Sequence, residues 1–114
     1  RLGVALGGRK ETFAGLSGMG DLIVTCTSMH SRNRRCGILI GQGKPVQAAI
    51  AEIGAVVEGY FAAYSACQLA RKTGVEMPVC ESAYAVLYEG KPVEHVLEQL
   101  LNRDKKHEVD ESWI

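Results

Sequence analysis

The chain has 114 residues, enough for one domain or part of a larger one, and its 13 basic and 13 acidic residues leave no net charge. That balance removes any global electrostatic case for nucleic acid or an anionic membrane, so charge-driven binding has to be local. Hydrophobic residues at 46% suit an ordinary globular protein, and no apolar run approaches the roughly 20 residues that a bilayer-spanning helix needs.

In chain order, Arg1-Leu2-Gly3-Val4-Ala5-Leu6-Gly7-Gly8 reads as the end of a helix entered partway and stopped at the two glycines. It has neither an initiator Met nor the apolar core of a signal peptide, so a fragment of a longer protein is expected. Gly15, Gly18 and Gly20 lack the spacing of a dinucleotide fingerprint and follow no clear strand. They let backbone approach backbone or a ligand closely. Asp21 opens the stretch DLIVTCT and is expected to N-cap it. The β-branched content suits a strand as well, but the glycine-rich entry and the helix start beyond favour a helix.

Ser31 is a good N-cap for a helix over residues 31–40, closed by Gly41-Gln42-Gly43. A shorter helix over 45–53 ends at Gly54. A longer one over 57–73 ends at Gly74, a residue suited to the left-handed C′ position. Phe61, Tyr64 and Leu69 share one face of it, while Ala62, Ala63, Ala66 and Cys67 fill other sides, so burial on more than one side is expected. Pro78 starts a helix through Val79, Ala83, Val86 and Leu87 that ends at Gly90. Pro92 suits the first turn of another, in which Val93, Val96, Leu97, Leu100 and Leu101 keep helical spacing. The fold class is therefore all-α, one domain of about six helices joined by short Gly/Pro turns. The end after Arg103, DKKHEVDESWI, is charged, with Trp113 expected to dock on the body or on a partner.

Cys26, Cys36, Cys67 and Cys80 form no C-x-x-C, and no histidine lies near a pair at ligand spacing. They are expected to be reduced and buried, as in a cytoplasmic protein without a metal. His30, His95 and His107 are assigned no role. Tyr60, Phe61, Tyr64, Tyr84 and Tyr88 sit at helical spacings as core or interface.

The local charge is at SRNRR, residues 31–35. A helix start offers free N–H groups and the positive end of the dipole, which together favour an anion. Arg32 adds a fork that fits two phosphate oxygens. The Asn33 amide can bind a hydroxyl or an oxyanion. Ser31, Arg32 and Asn33 fan around the first turn, so one small phosphorylated ligand can touch all three. A capped helix with a solvated basic face is the other reading of the same residues.

The run GLSGMGDLIVTCTSMHSRNRR, then VVEGYFAA, then GVEMPVCESAYAVLYEG, resembles the C-terminal domain of bacterial NAD(P)-dependent glycerol-3-phosphate dehydrogenase. The resemblance runs from residue 1 to about 108, and the SRNRR block ten residues after Asp21 is its most specific part. It implies a two-domain oxidoreductase that interconverts dihydroxyacetone phosphate and sn-glycerol 3-phosphate, using NAD or NADP, and so supplies phospholipid synthesis. It implies an all-α substrate-binding domain over 1–108 with a tail over 109–114. An N-terminal Rossmann domain, absent here, binds most of the cofactor. By the same resemblance Asp21, Ser31, Arg32 and Asn33 are substrate-site residues, with Asp21 near a catalytic lysine upstream. Arg32, Val56 and Glu58 face the cofactor. Lys10 lies too close before Asp21 to be that lysine, so the 114 residues alone are expected to be inactive. Cys36 departs from the aromatic residue that relatives often carry after the arginines. An exposed interdomain face is a reason to expect a homodimer of the isolated chain. The alternatives are a stand-alone helical module that binds a phosphorylated ligand or a protein partner through residues 31–35, and a related dehydrogenase acting on another hydroxy acid.

Overall fold

The structure, a computed structural model, describes residues 1–103. They form eight α-helices and no strand: α1 (Leu2–Ala5), α2 (Lys10–Ala14), α3 (Asp21–Thr27), α4 (Arg32–Gly41), α5 (Val46–Ile53), α6 (Glu58–Thr73), α7 (Pro78–Tyr88) and α8 (Val93–Leu101). A π-helical turn, Leu16–Gly20, leads into α3. The all-α expectation holds, with more elements than the six expected. The extra ones are short pieces at the N-terminal end, where four or five residues are too few to show a helical period. The boundary expected at residue 108, together with His107 and Trp113, lies outside the described residues.

The long helices follow the punctuation in the sequence. Gly54 and Gly74 take left-handed φ values of 73° and 72° at the ends of α5 and α6, a conformation that costs glycine nothing. Pro78 occupies the first turn of α7, where its missing N–H is no loss. Helix α6 packs on α7, α7 on α8, and α4 against both α5 and α6. The core is built from Cys36 and Ile40 of α4, Ala49 of α5, and Val57 just before α6. It therefore sits directly beneath the starts of α4 and α6 and fixes one against the other.

Helix α6 buries a single face rather than several. Ala63, Cys67 and Ala70, at i, i+4 and i+7, are its buried residues, while Phe61, Tyr64 and Leu69 are exposed. Small side chains on the Ala/Cys face allow a close approach of α7, and the Cys67 thiol reaches the Cys80 carbonyl at 3.6 Å. The bulkier face meets α7 only at its edge, where the Tyr64 ring lies 6.2 Å from Tyr84 and 5.6 Å from Tyr88. On its edge Tyr60, Tyr84 and Tyr88 stack in series, with ring centroids 4.6 Å and 5.0 Å apart. The Tyr88 hydroxyl donates to the Tyr60 carbonyl.

Two other expectations are corrected. Asp21 does not N-cap α3: it is already helical, at φ −62° and ψ −40°, and makes no side-chain capping bond. The π-helical turn delivers the chain in a helical conformation, so α3 has no free start to cap. Gly18 makes that entry possible, because a Cβ there would run into the Phe13 carbonyl. The cysteines are free thiols as expected, but only Cys36 and Cys67 are buried; Cys26 is exposed and Cys80 half-buried. Cys26 lies in α3, whose apolar side chains Leu22, Ile23 and Val24 are all more than half exposed. Nothing among the described residues covers them.

Candidate functional site

Ser31 leaves the helical conformation, at φ −67° and ψ 119°, and its Oγ accepts from the Arg34 N–H at 3.2 Å. Its carbonyl takes the Arg35 N–H at 3.1 Å. The N–H groups of Arg32 and Asn33 are left without an acceptor among the described residues, pointing out of the first turn. A turn in which the Ser28 hydroxyl accepts the His30 N–H at 3.1 Å brings the chain from α3 to this start.

The charge pattern here is opposite to that of five other helices. Helices α2, α3, α6, α7 and α8 each carry an acidic residue in the first turn, which the helix dipole favours. Helix α4 carries none and has Arg32 and Arg34 instead. Cations at the positive end of a dipole are unfavourable until an anion sits among them. The Arg34 guanidinium lies against Met29 Sδ, so it is turned along the incoming chain. The Arg32 side chain is exposed and has no hydrogen bond or ion pair among the described residues.

Asn33 behaves differently from Arg32. Its Oδ1 accepts the Gly59 N–H at 2.8 Å, across 26 residues of sequence. Helix α6 needs that acceptor, because its N-cap Val57 has no side chain to offer. Asn33 thus belongs to α4 and caps α6 at the same time. This bond places Ser31, Arg32 and Asn33 beside Val57, Glu58 and Gly59. Glu58 and Val56 are exposed there, so the two helix starts form one edge with a carboxylate, a guanidinium and an amide. Behind it lies an apolar cavity of about 330 Å³ bordered by Cys36, Ile40, Val57, Leu87 and Val93. Burial raises the Cys36 thiol above its ordinary value and keeps it protonated.

Asp21 is not joined to this edge. It is exposed in the first turn of α3, and no hydrogen bond or ion pair links it to Ser31, Arg32 or Asn33. Of the six expected site residues, then, the fold unites five and leaves Asp21 apart. The sequence reading missed Gly59. Its signal was a glycine inside the first turn of a helix, a position where glycine is penalised unless something else needs the space. No group of residues among those described could hold a metal ion, and no helix among them is long and apolar enough to cross a membrane.

The model of the family "NAD-dependent glycerol-3-phosphate dehydrogenase C-terminus" matches residues 1–98. The chain belongs to this family. It is 58% identical over 108 residues to a glycerol-3-phosphate dehydrogenase [NAD(P)+] of Clostridium perfringens, covering 95% of this chain and 33% of that protein. A Fusobacterium nucleatum enzyme of the same name is 55% identical over 112 residues, covering 98% and 33%. The crystal structure of glycerol-3-phosphate dehydrogenase from Coxiella burnetii superposes with a TM-score of 0.86 at 38% identity, over 90% of this chain and 32% of that one. The chain spans about a third of the length of the curated relatives it matches. The resemblance read from SRNRR and VVEG is thereby established at the level of the family. The eight helices are the fold of a glycerol-3-phosphate dehydrogenase C-terminal domain.

Proposed function

We propose that this domain is the substrate-binding part of an NAD(P)-dependent oxidoreductase that interconverts dihydroxyacetone phosphate and sn-glycerol 3-phosphate. The observation that carries this reading is the α4 start: a Ser31 cap, two outward N–H groups, and arginines where five other helices place acids. Such a start is built for a phosphate. Membership of the family, and relatives that bear the enzyme's name, support the substrate.

In this reading Arg32 neutralises the phosphate and holds it with two parallel hydrogen bonds. Holding the phosphate fixes the carbonyl carbon of the small substrate, a gain in positioning. The Asn33 amide and the Ser31 hydroxyl supply further contacts to its oxygens. Val56 and Glu58, exposed at the entrance to α6, fit the edge of a nicotinamide cofactor: an apolar surface and a carboxylate able to accept from ribose hydroxyls. NAD or NADP, when bound, supplies or takes the hydride. Asp21 faces the general-acid lysine of the other domain and favours its ammonium form. The substrate domain runs over residues 1–108 with 109–114 as its tail. The enzyme works in the cytoplasm, a compartment that keeps four free thiols reduced, and its product feeds phospholipid synthesis.

The test is oxidation of NADH or NADPH by the full-length dehydrogenase with dihydroxyacetone phosphate, beside an Arg32→Ala variant. Activity that falls at least 100-fold in the variant supports the reading, given the usual worth of a bidentate charged pair. Activity that survives the change removes Arg32 from the site. No oxidation with either cofactor removes the substrate.

A further inference from the structure

The contact between Asn33 and Gly59 carries more than a cap. An asparagine amide has one accepting end and one donating end. Here the Gly59 N–H takes the accepting oxygen at 2.8 Å. The nitrogen is then the end left to face the open edge between α4 and α6. The orientation of the amide is set by the backbone of another helix, not by the ligand.

Gly59 also sets where the amide sits. A Cβ at this position would lie 3.0 Å from Asn33 Oδ1 and 3.1 Å from Asn33 Cγ, tight enough that the amide would have to give by a few tenths of an ångström. The backbone of Gly59 is helical and at negative φ, so conformation does not demand glycine there. Alanine would be the better helix former by about 1 kcal/mol. The space is therefore kept for the Asn33 side chain. Asn33 is exposed, so an added methyl group would turn the amide aside rather than split the helices.

From this we infer that Gly59 is a positioning residue: its N–H and its missing side chain hold the Asn33 amide with the NH2 group presented to an acceptor oxygen of the substrate. The inference rests on the substrate reading above and deepens it. It makes Asn33 a pure donor, matched to a phosphate or carbonyl oxygen and mismatched to a hydroxyl hydrogen. It also ties the substrate-binding turn of α4 to the Glu58 turn of α6 through one hydrogen bond.

The experiment is a double-variant cycle in the full-length enzyme, with KM for dihydroxyacetone phosphate and KM for the cofactor measured separately. Gly59→Ala should raise the substrate KM about 10-fold, the loss of one charge-assisted hydrogen bond, with a much smaller change in the cofactor KM. Asn33→Ala should do at least as much. Adding Gly59→Ala to Asn33→Ala should then cost nothing further, because the residue it acts through is gone. Effects that multiply in the double variant, or a Gly59→Ala enzyme with an unchanged substrate KM, overturn the inference. Should Gly59→Ala fail to fold, Asn33→Asp decides. Its carboxylate still accepts the Gly59 N–H but has no donor, so it should keep the wild-type thermal midpoint, exceed Asn33→Ala in stability, and lose at least as much substrate affinity. An Asn33→Asp enzyme that binds substrate normally, or melts no higher than Asn33→Ala, overturns the inference as well. A wild-type enzyme inactive on dihydroxyacetone phosphate is a different result: it removes the substrate reading, and this inference falls with it.

Discussion

Ser31 permits a test in which stability and function move in opposite directions. Its Oγ closes the first turn of α4 on the Arg34 N–H at 3.2 Å. Ser31→Ala removes that acceptor and should cost about 1 kcal/mol, or roughly 2–4 °C in thermal midpoint for a protein of a few hundred residues. Ser31→Asp keeps an accepting oxygen at the cap. It also adds a negative charge at the positive end of the α4 dipole, beside Arg32, Arg34 and Arg35, a gain of about 0.3–1 kcal/mol. The Asp variant should therefore melt at or above the wild type. Its carboxylate, however, occupies the place proposed for the phosphate. Two unit charges 4 Å apart at an effective dielectric of about 20 repel by roughly 4 kcal/mol, nearly three factors of ten in affinity. The assay is differential scanning fluorimetry on both variants of the full-length enzyme, paired with kcat/KM for dihydroxyacetone phosphate. A Ser31→Asp enzyme that is stable and binds substrate as well as the wild type would refute the anion site. A Ser31→Asp enzyme as unstable as Ser31→Ala would refute the account of the cap.

Other outcomes are expected from the same structure. Arg32→Lys keeps the charge but loses the planar fork, so kcat/KM should fall at least 10-fold; an unchanged value would mean that only net charge matters there. Cys26 should react with a thiol reagent much faster than Cys36 or Cys67, since it is exposed and they are buried; equal rates in peptide mapping would contradict the packing of α4 and α6. Burial raises the Cys36 and Cys67 thiols above their ordinary value of 9.0. Their contribution to stability is thus complete below that value and lost as pH rises through the folded-state values, where the unfolded chain ionises first. Denaturation at pH 8 and pH 10.5 should show the loss at the higher pH, and equal stability would refute it. The 114-residue chain alone should show no dihydroxyacetone-phosphate-dependent NADH oxidation. Its exposed Leu16, Leu22, Ile23 and Val24 should drive it to associate, whereas sedimentation as a monomer at high concentration would show that face to be inert.

Much of this architecture was legible from residue order because it depends on local rules. Gly54 and Gly74 mark helix ends since few other residues adopt a left-handed φ without strain. Ser31 marks a start because its side chain can reach the third N–H of the turn that follows. SRNRR and VVEG pointed to the family by resemblance, a match in residue order that needs no coordinates. What failed locally was Asp21: an acid ahead of an apolar run looks like a cap, but only the conformation of the preceding turn decides whether a helix begins there.

The remainder was decided by tertiary structure. The period of α6 was plain, yet which of its faces is buried depended on how closely α7 could approach, and that favoured Ala63, Cys67 and Ala70 over Phe61 and Tyr64. The apolar character of α3 was equally plain, while its exposure follows from the lack of any covering element in residues 1–103. The hydrogen bond from Gly59 to Asn33 spans 26 positions, a separation at which no sequence spacing signals contact. The sequence by itself determined the helices, their ends and the chemistry available at the α4 start, because each rests on interactions within a turn or two. The pairing of the α4 and α6 starts came only from the packing of Cys36, Ile40, Ala49 and Val57 beneath them, since a shared core alone brings distant turns within hydrogen-bonding distance.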